Sequence, residues 1–224
     1  MSFTSKLSLC FDLDGTIVDT APDLIRVLNL VIAKEGVGET SYEHARAAIG
    51  YGSRRLIEDA FLRADKKVDA ERVTELQQLF LKLYADDIAQ LSRPFDGVIE
   101  TLIGLKRKGA ELSVCTNKPG YLARPLLEAL GMTPLFTKII GSDDVARNKP
   151  HADHIFASAG HRRANTIVMI GDGAPDSLAA KAARVPCILM AYGYSTVPFE
   201  SLGADIVLRR FRDIPSALVR LGFA

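Results

Sequence analysis

The residues of this sequence with the clearest chemical potential are two aspartates, Asp12 and Asp14, at the end of the apolar run 7–13. Side chains at positions i and i+2 of a strand point to the same side, so these two carboxylates are expected to lie together. Carboxylates this close repel each other unless a cation or a proton lies with them. An Asp-Gly pair is common in ordinary turns, which explains Asp14 before Gly15. It does not explain Asp12, because burying an unpaired charge costs several kcal/mol.

Two further carboxylates follow a second apolar run, residues 166–171. Asp172 stands directly after that run, as Asp12 stands near the end of the first. Asp176 lies four residues later, near the first turn of a predicted helix, where a carboxylate also interacts favourably with the helix dipole. Helix capping is therefore a fair alternative for Asp176 and a weaker one for Asp172.

A hydroxyl–amide pair and a lysine complete the set. Thr116 and Asn117 come at the end of the apolar run that begins at residue 111, before a helix predicted to start near Gly120. Hydroxyl, amide and backbone N–H groups in this position suit a phosphate, although an ordinary N-cap and turn explains them equally well. Lys149 precedes a proline, and on its own it is typical of a surface lysine.

Together these side chains predict a site for metal-assisted phosphoryl transfer. Oxygen ligands without histidine or cysteine select a hard cation, most readily Mg²⁺. An aspartate carboxylate can attack phosphorus and form an aspartyl-phosphate. A metal ion and a lysine relieve the repulsion between that carboxylate and a phosphate dianion. A second acid can protonate the leaving oxygen and then deprotonate the water that cleaves the intermediate.

Short apolar runs that alternate with helical patterns supply the framework for these side chains. Runs that are apolar at every residue are typical of strands covered on both faces, and their alternation with helices predicts a parallel sheet with crossover helices. In such a sheet the carboxyl ends of the strands face one crevice, so residues distant in sequence converge there. The predicted strands cover residues 7–13, 111–116, 166–171 and 186–190, with weaker ones at 138–141 and 205–208.

One stretch, residues 21–91, shows helix patterns and no convincing strand. Its apolar residues recur on single helical faces, as Leu24, Val27 and Val31 do. A helical segment of this length, inserted after the first strand, is predicted to form a separate small domain. Residues 93–97 then form the return linker to the sheet.

Composition and charge exclude several classes of function. The 224 residues carry a formal net charge of +1, which does not indicate nucleic acid or an anionic membrane as a partner. No run is long enough for a spanning helix, and the first nine residues are too short and polar for a signal peptide, so a cytoplasmic location is expected. Cys10, Cys115 and Cys187 lie singly in apolar runs, which argues against a disulfide framework or a zinc site.

In this combination and order, the motifs resemble those of the haloacid dehalogenase superfamily. They are Asp-x-Asp-Gly-Thr at residues 12–16, Thr-Asn at 116–117, Lys-Pro at 149–150 and Gly-Asp-x-x-x-Asp at 171–176. The resemblance covers nearly the whole chain. Within the superfamily, the sequence is similar to the phosphoglycolate phosphatase group, and the segments that carry this likeness are residues 11–24, 94–98, 115–119 and 192–194.

The resemblance implies an α/β fold with a Rossmann-like parallel sheet core and an inserted small helical cap domain. The core would comprise residues 1–18 and 93–224, and the cap residues 19–92. A cap that closes over a site excludes water and contributes specificity. The expected partner is a small phosphorylated metabolite, and the expected assembly is a monomer or a homodimer.

The resemblance also implies roles for individual residues. Asp12 would be the nucleophile and a ligand of Mg²⁺. Asp14 would be the general acid and base, with its backbone carbonyl on the metal, and Asp172 would be a further metal ligand. Lys149 would neutralise Asp12 and the phosphate.

Four more residues would support this chemistry. Thr116 and Asn117 would bind the transferring phosphoryl group. Thr16 would orient the loop that carries the nucleophile. Asp176 would support the metal-bound waters or the catalytic lysine.

The sequence departs from the pattern of the superfamily at four positions. Gly173 stands where a serine or threonine usually follows the first aspartate of the last motif, so one hydroxyl is missing. Pro175 is unusual in that motif but tolerable in the first turn of a helix. Ala152 replaces a common proline, and Arg184 replaces a common glycine. None of these changes removes a catalytic group.

The favoured substrate is 2-phosphoglycolate. Residues 49–55 correspond to a substrate-specificity loop in relatives, and Arg54 or Arg55 could pair with a substrate carboxylate. A solvent-exposed arginine at a helix start explains these residues at least as well. Arg54 is nevertheless the candidate for substrate binding.

Other readings stay open at this point. A dehalogenase would need no metal and usually lacks the second aspartate, whereas a sugar-phosphate mutase shares the same core and is poorly separated by sequence. A phosphonate-cleaving enzyme would need a Schiff-base lysine in the cap, for which no specific match exists. A regulatory protein that binds a phosphate ester would be expected to have lost an essential carboxylate or the lysine.

Overall fold

The computed structural model describes residues 7–160 and 163–223, and its main sheet is parallel throughout. Six strands lie side by side in the order β5-β4-β1-β6-β7-β8. The described strands are β1 (Ser8–Phe11), β2 (Val18–Asp19), β3 (Arg93–Pro94), β4 (Glu111–Cys115), β5 (Lys138–Ile140), β6 (Ile167–Gly171), β7 (Cys187–Met190) and β8 (Ile206–Leu208). All six predicted strands are present, each within the predicted range, and this confirms the parallel α/β sheet.

Helices cover both faces of the sheet, as expected for strands that are mostly apolar. The described helices are α1 (Ala21–Ile32), α2 (Tyr42–Ile49), α3 (Ser53–Arg63), α4 (Ala70–Asp86), α5 (Val98–Arg107), α6 (Gly120–Ala129), α7 (Ala152–Ser158), α8 (Ala174–Ala183), α9 (Phe199–Leu202) and α10 (Ile214–Arg220). Among these described helices, none is long and apolar enough to cross a membrane.

Alternate residues of the central strands β4, β1, β6 and β7 belong to two separate apolar cores. On one face, Leu9 and Phe11 of β1 pack with side chains from α5 and α10. On the other face, Cys10 packs with Ile155 of α7 and Ala179 of α8. Side chains of successive strand residues point to opposite faces, so this division follows directly from the strand period of two.

The three cysteines are free and buried in the strands of the main sheet. Cys10 lies on β1, Cys115 on β4 and Cys187 on β7. Burial is the main cause that raises the pKa of the Cys10 thiol, to about 11. All three therefore act as small buried hydrophobic residues, in agreement with the prediction from their apolar surroundings.

Four helices, α1 to α4, follow one another between the two short strands β2 and β3. These strands pair antiparallel and bring the two ends of the helical insertion together. The buried carboxylate of Asp23 reinforces this closure, since its Oδ2 accepts hydrogen bonds from the backbone N–H groups of Leu91 (2.9 Å) and Ser92 (2.7 Å). The helical character predicted for residues 21–91 agrees with this arrangement.

Candidate active site

Three adjacent strands end at the site. In the order β4-β1-β6, the residues that directly follow are Thr116, Asp12 and Asp172. The predicted first strand was too long at its carboxyl end, since β1 stops at Phe11 and Asp12 already lies in the loop. Its backbone N–H still donates to the carbonyl of Ile170 (2.8 Å), which ties the loop to β6.

Asp12, Asp172 and Asp176 form one acidic cluster, in which one oxygen from each carboxylate lies within 4.8 Å of the others. Burial is the main cause that raises the pKa of Asp172 well above its usual value, and the carboxylates of Asp176 and Asp12 raise it further. Three carboxylates at this spacing, of which Asp172 and Asp176 are buried, are unfavourable without added positive charge. The structure therefore fits a hard cation bound between Asp12 and Asp172.

Lys149 supplies part of the positive charge. Its Nζ lies 2.9 Å from Oδ1 of Asp12 and 2.7 Å from Oδ1 of Asp176, and its side chain is only 1% exposed. Burial alone would lower the pKa of this lysine, but the two carboxylates outweigh burial and raise it. Lys149 is therefore a buried cation and not the surface lysine that its sequence context alone suggested.

The loop that carries Lys149 is held on both sides. The backbone N–H of Lys149 donates to Nδ1 of His154 (3.2 Å), and the carbonyl of Lys149 accepts from Nδ2 of Asn117 (3.0 Å). Burial, followed by the charge of Lys149, lowers the pKa of His154 to about 4, so this imidazole is neutral. The sequence did not indicate a role for His154, which has no motif of its own.

Without a metal ion, the environment of Asp12 disfavours the ionised form of its carboxylate. Burial is the largest cause and raises its pKa to about 7, Lys149 opposes the rise, and Asp176 adds to it. Oδ1 of Asp12 also accepts a hydrogen bond from the backbone N–H of Leu13 (2.7 Å). The carboxylate is thus held in one orientation with its charge poorly solvated.

Asp172 is fixed by two hydrogen bonds from distant parts of the chain. The hydroxyl of Thr16 donates to its Oδ1 (3.1 Å), and the backbone N–H of Tyr194 donates to its Oδ2 (2.7 Å). In both hydrogen bonds the backbone comes close to Asp172, which requires a glycine next to Thr16 and another next to Tyr194. Gly15 has a φ of +84°, and a Cβ there would lie 2.7 Å from Oδ2 of Asp172, while a Cβ on Gly193 would collide with the same side chain.

Asp176 uses both oxygens within the protein. Oδ1 accepts from Lys149, and Oδ2 accepts from the backbone N–H groups of Asp172 and Gly173, each at 3.1 Å. Asp176 therefore makes the contacts of a helix cap and an ion pair with Lys149 at once. Asp176 positions the lysine and closes the first turn of α8 at the same time.

Asp14 is not one of the three carboxylates of the acidic cluster. Its Oδ1 accepts hydrogen bonds from the hydroxyl of Thr20 (2.6 Å) and from Nζ of Lys118 (3.1 Å). The Lys118 ammonium also lies 4.4 Å from the ring centre of Tyr84 in α4. Sequence reasoning missed Lys118, because nothing in the pattern Asn-Lys-Pro distinguishes a buried lysine from an exposed one.

The predicted phosphoryl-binding residues Thr116 and Asn117 line the same cavity as Asp12, but both also make hydrogen bonds within the protein. The hydroxyl of Thr116 accepts from the backbone N–H of Lys118 (3.1 Å). The amide of Asn117 donates to the Lys149 carbonyl, while its buried Oδ1 has no partner among the described residues. The amide nitrogen of Asn117 therefore positions the loop of Lys149.

Two adjoining cavities meet at Asp12 and Asn117. The first, of about 160 Å³, extends between the sheet edge and the helical insertion, and its walls include Tyr51, Tyr84 and Lys118. The second, of about 50 Å³, borders Lys149, Asp172 and Asp176. Both are lined by core and insertion residues together, so the insertion forms one wall of the site.

The structure does not bring Arg54 to either cavity. Its Nε donates to Oε1 of Glu58 (3.0 Å), one turn along α3, and its Nη1 donates to the hydroxyl of Thr74 (3.2 Å). Arg55 makes a similar pair with Asp59. Each of the two arginines pairs with a carboxylate one turn later on α3, because residues at i and i+4 are neighbours on a helix surface.

Another arginine from the insertion does reach the core. Nη2 of Arg46 donates to the carbonyls of Gly193 (3.0 Å) and Ser195 (3.1 Å), and Arg46 lines the second cavity. Its Nε is buried without a partner among the described residues. Neither spacing nor composition marks Arg46 in the sequence, since its contact depends on how α2 packs against the loop after β7.

The missing hydroxyl at Gly173 leads to a stability prediction. Gly173 is the N-cap of α8 in an extended conformation, and a Cβ there would meet only Pro175 Cδ, at an ordinary 3.5 Å. Serine is a better N-cap than glycine and restricts the unfolded chain more. We expect Gly173→Ser to raise the free energy of unfolding by about 0.5–1 kcal/mol in urea denaturation. A decrease would show that the hydroxyl clashes with the acidic cluster.

Comparisons with known proteins agree with this geometry. Residues 9–190 match the family model described as haloacid dehalogenase-like hydrolase. The chain is 42% identical to a phosphoglycolate phosphatase of Caulobacter vibrioides, over 96% of this chain and 91% of that protein. It is 39% identical to a phosphoglycolate phosphatase of Agrobacterium fabrum, over 93% of this chain and 90% of that protein. A crystal structure from Haemophilus somnus, described as a predicted phosphoglycolate phosphatase, superposes with a TM-score of 0.88 at 28% identity, covering 96% of this chain and 99% of that one.

Proposed function

Because the chain belongs to the haloacid dehalogenase-like hydrolase family, we propose that it is a Mg²⁺-dependent phosphatase that hydrolyses 2-phosphoglycolate through an aspartyl-phosphate on Asp12. One observation carries this proposal. The Asp12 carboxylate lies at the end of β1 with Lys149 Nζ at 2.9 Å, inside a cluster of carboxylates that needs further positive charge. An aspartate held in this way is suited to attack a phosphate dianion.

The proposed metal site consists of Asp12, Asp172 and the backbone carbonyl of Asp14. Mg²⁺ bound there would supply charge neutralisation for the phosphate and the attacking carboxylate. Thr16 and the backbone of Tyr194 orient Asp172 toward this position, and Asp176 holds Lys149 beside it. Such supporting contacts are typical of metal sites, where they fix the direction of the ligands.

The proposed reaction uses two aspartates in turn. A carboxylate oxygen of Asp12 attacks phosphorus, the bond from phosphorus to the ester oxygen breaks, and the protonated carboxyl of Asp14 gives its proton to the leaving oxygen. Asp14 then takes a proton from water as the water attacks the aspartyl-phosphate, which releases inorganic phosphate and regenerates Asp12. Lys149 stabilises negative charge in both steps, and Thr116 and Asn117 hold the phosphoryl oxygens.

We propose that the core comprises residues 1–18 and 93–224 and that residues 19–92 form a cap. The pairing of β2 with β3 and the insertion residues on the walls of both cavities support this division. A cap in this position would exclude water from the aspartyl-phosphate until hydrolysis is set up. A cytoplasmic location and a monomeric or homodimeric state remain predictions.

The choice of 2-phosphoglycolate rests on the relatives named phosphoglycolate phosphatase and on the small size of the first cavity, about 160 Å³. The test is a screen with Mg²⁺ of 2-phosphoglycolate, sugar phosphates, nucleotides and pyrophosphate, with phosphate release as the readout. We expect the highest kcat/KM for 2-phosphoglycolate. Isomerised sugar phosphate without phosphate release would indicate a mutase, and an inert protein across the whole panel would indicate a binding protein.

Metal binding should depend on pH in a defined direction. The pKa of Asp12 is raised to about 7 in the metal-free fold from an ordinary 3.8, so folding takes up a proton between these values and this group destabilises the metal-free protein as pH rises. Mg²⁺ competes with that proton and stabilises the fold more when Asp12 is ionised. We therefore expect the rise in Tm caused by MgCl₂, relative to EDTA, to be larger at pH 7.5 than at pH 5.5. An equal rise at both values would contradict a metal site that includes Asp12.

A further inference from the structure

The first cavity holds one positive side chain that the proposed reaction does not use. Lys118 is the only lysine or arginine among the described residues that line this cavity. Its side chain is 6% exposed, and it lies against Asp14 on one side and the ring of Tyr84 on the other. A buried ammonium is unfavourable unless anions lie beside it. Asp14 supplies one of them, and the place of Lys118 in a cavity wall allows a small bound anion to supply a second.

The wall of this cavity also has an apolar part. It comprises Leu24, Ile49, Leu56, Phe80 and Leu122, from the helical insertion and α6. The other lysine near the nucleophile, Lys149, lines the second cavity and is paired with two carboxylates, whereas Lys118 is paired with one. A second negative group on the substrate would therefore find one cation in this cavity, and that cation is Lys118.

The position of Lys118 also limits the length of the substrate. Its Nζ lies 3.1 Å from Oδ1 of Asp14, and under the proposed function Asp14 contacts the ester oxygen as that oxygen leaves. An anion bound by Lys118 must therefore lie on a carbon close to the ester oxygen. A carboxylate separated from that oxygen by one methylene group meets this condition, and a longer acid overshoots it.

We propose that Lys118 is the specificity-determining residue that binds the carboxylate of a short phosphorylated acid, an inference that rests on the proposed phosphatase function. The start of α3 adds to this subsite. Residues 50–53 line the same cavity, and α3 begins without a side-chain cap or an acidic residue in its first turn. The first N–H groups of a helix have no partner within the helix, so those of α3 present the positive end of the helix dipole to the same anion.

This assignment replaces the one expected for Arg54. Arg54 is 42% exposed in its side chain and paired with Glu58 on the surface of α3, whereas Lys118 is buried in the cavity wall. The two residues therefore make opposite predictions for variants. Loss of the Arg54 charge should leave carboxylate recognition unchanged, and loss of the Lys118 charge should remove it.

The experiment compares two substrates of equal size, 2-phosphoglycolate and its neutral amide, with the full-length protein and Mg²⁺. The ratio of their kcat/KM values isolates the contribution of the carboxylate, because both esters use the same nucleophile and acid. We expect the wild type to favour the acid, and Lys118→Met to reduce that ratio on the order of 10- to 100-fold, as loss of a charged hydrogen bond predicts. Lys118→Arg should retain part of the preference.

Two further variants sharpen the comparison. Lys82→Met removes an exposed lysine of α4 and should leave the ratio unchanged, as should Arg54→Met. A ratio that collapses in Arg54→Met would overturn the inference in favour of the arginine. An equal loss of activity on both substrates in Lys118→Met and Lys118→Gln would also overturn it, since Lys118 would then act only through Asp14.

The outcomes also separate this inference from the function beneath it. A wild type that hydrolyses neither ester with Mg²⁺ contradicts the proposed phosphatase function. A wild type that hydrolyses both with equal kcat/KM leaves the phosphatase standing and contradicts carboxylate recognition by Lys118.

Discussion

Asp12→Asn should abolish phosphatase activity, with kcat at least about 10⁴-fold below the wild-type value. An amide cannot form the aspartyl-phosphate, so the loss concerns the chemical step itself. Lys149 and the site at Asp172 would still bind the phosphate, but neither could replace the nucleophile. The measurement is steady-state release of phosphate from 2-phosphoglycolate at saturating Mg²⁺.

A matched aspartate provides the control for this variant. Asp153→Asn changes an exposed aspartate of α7 that pairs with Arg147 and does not belong to the acidic cluster. It should keep wild-type kcat within about threefold, as expected for a surface substitution. Turnover in Asp12→Asn above one hundredth of the wild-type rate, with deamidation excluded by mass spectrometry, would show that another group attacks phosphorus.

Lys149→Met should reduce kcat/KM by about 10³-fold or more and also destabilise the fold. The lysine touches both Asp12 and Asp176, and its loss leaves two carboxylates facing each other without the shared cation. Removing one member of a buried charged cluster lowers the free energy of unfolding by about 3–5 kcal/mol. Losing a charge that stabilises the transition state also lowers the rate of the chemical step.

The pH dependence of this destabilisation identifies its cause. At pH 7.5 the carboxylates left by Lys149→Met repel each other, whereas at pH 5 Asp12 is protonated, because its pKa is about 7 even with the lysine in place. We therefore expect urea denaturation in EDTA to show that Lys149→Met loses less free energy of unfolding, relative to the wild type, at pH 5 than at pH 7.5. Lys82→Met serves as the surface control. A deficit that does not change with pH would point to lost packing and not to charge.

The fold was predictable from sequence because the strands of this doubly covered sheet are mostly apolar on both faces. The pattern therefore marked even the short strands β5 and β8, and their carboxyl ends fixed where polar residues would converge. The end of β1 was less predictable, since Leu13 continues the apolar run although the ladder stops at Phe11. The pair β2 and β3 was missed, because two-residue strands leave no periodicity to detect.

The site was predictable where a functional residue directly follows a strand, as Asp12, Thr116 and Asp172 do. It was not predictable where the contact depends on packing between distant elements. Lys118 meets Tyr84 of α4 only because the insertion folds over the sheet edge. Arg46 reaches the loop after β7 for the same reason.

Two of the unusual residues have a physical explanation in the fold. Pro175 occupies the first turn of α8, where no intrahelical hydrogen bond to its nitrogen is needed. Arg184 ends the same helix with a φ of +56°, the left-handed conformation for which glycine is favoured. That conformation agrees with the glycine expected here from the family pattern, and Arg184 adopts it at some cost in strain.

The central claim, an aspartyl-phosphate on Asp12, is tested most directly in Asp14→Asn. This variant lacks the base that activates water, so the intermediate should accumulate with p-nitrophenyl phosphate, whose leaving group needs no acid. We predict a burst of p-nitrophenolate equal to the enzyme concentration, and an added phosphoryl group found by mass spectrometry on the peptide that contains Asp12, at residue 12. A phosphoryl group on another residue, or continued turnover with no phosphorylated enzyme, would contradict the claim.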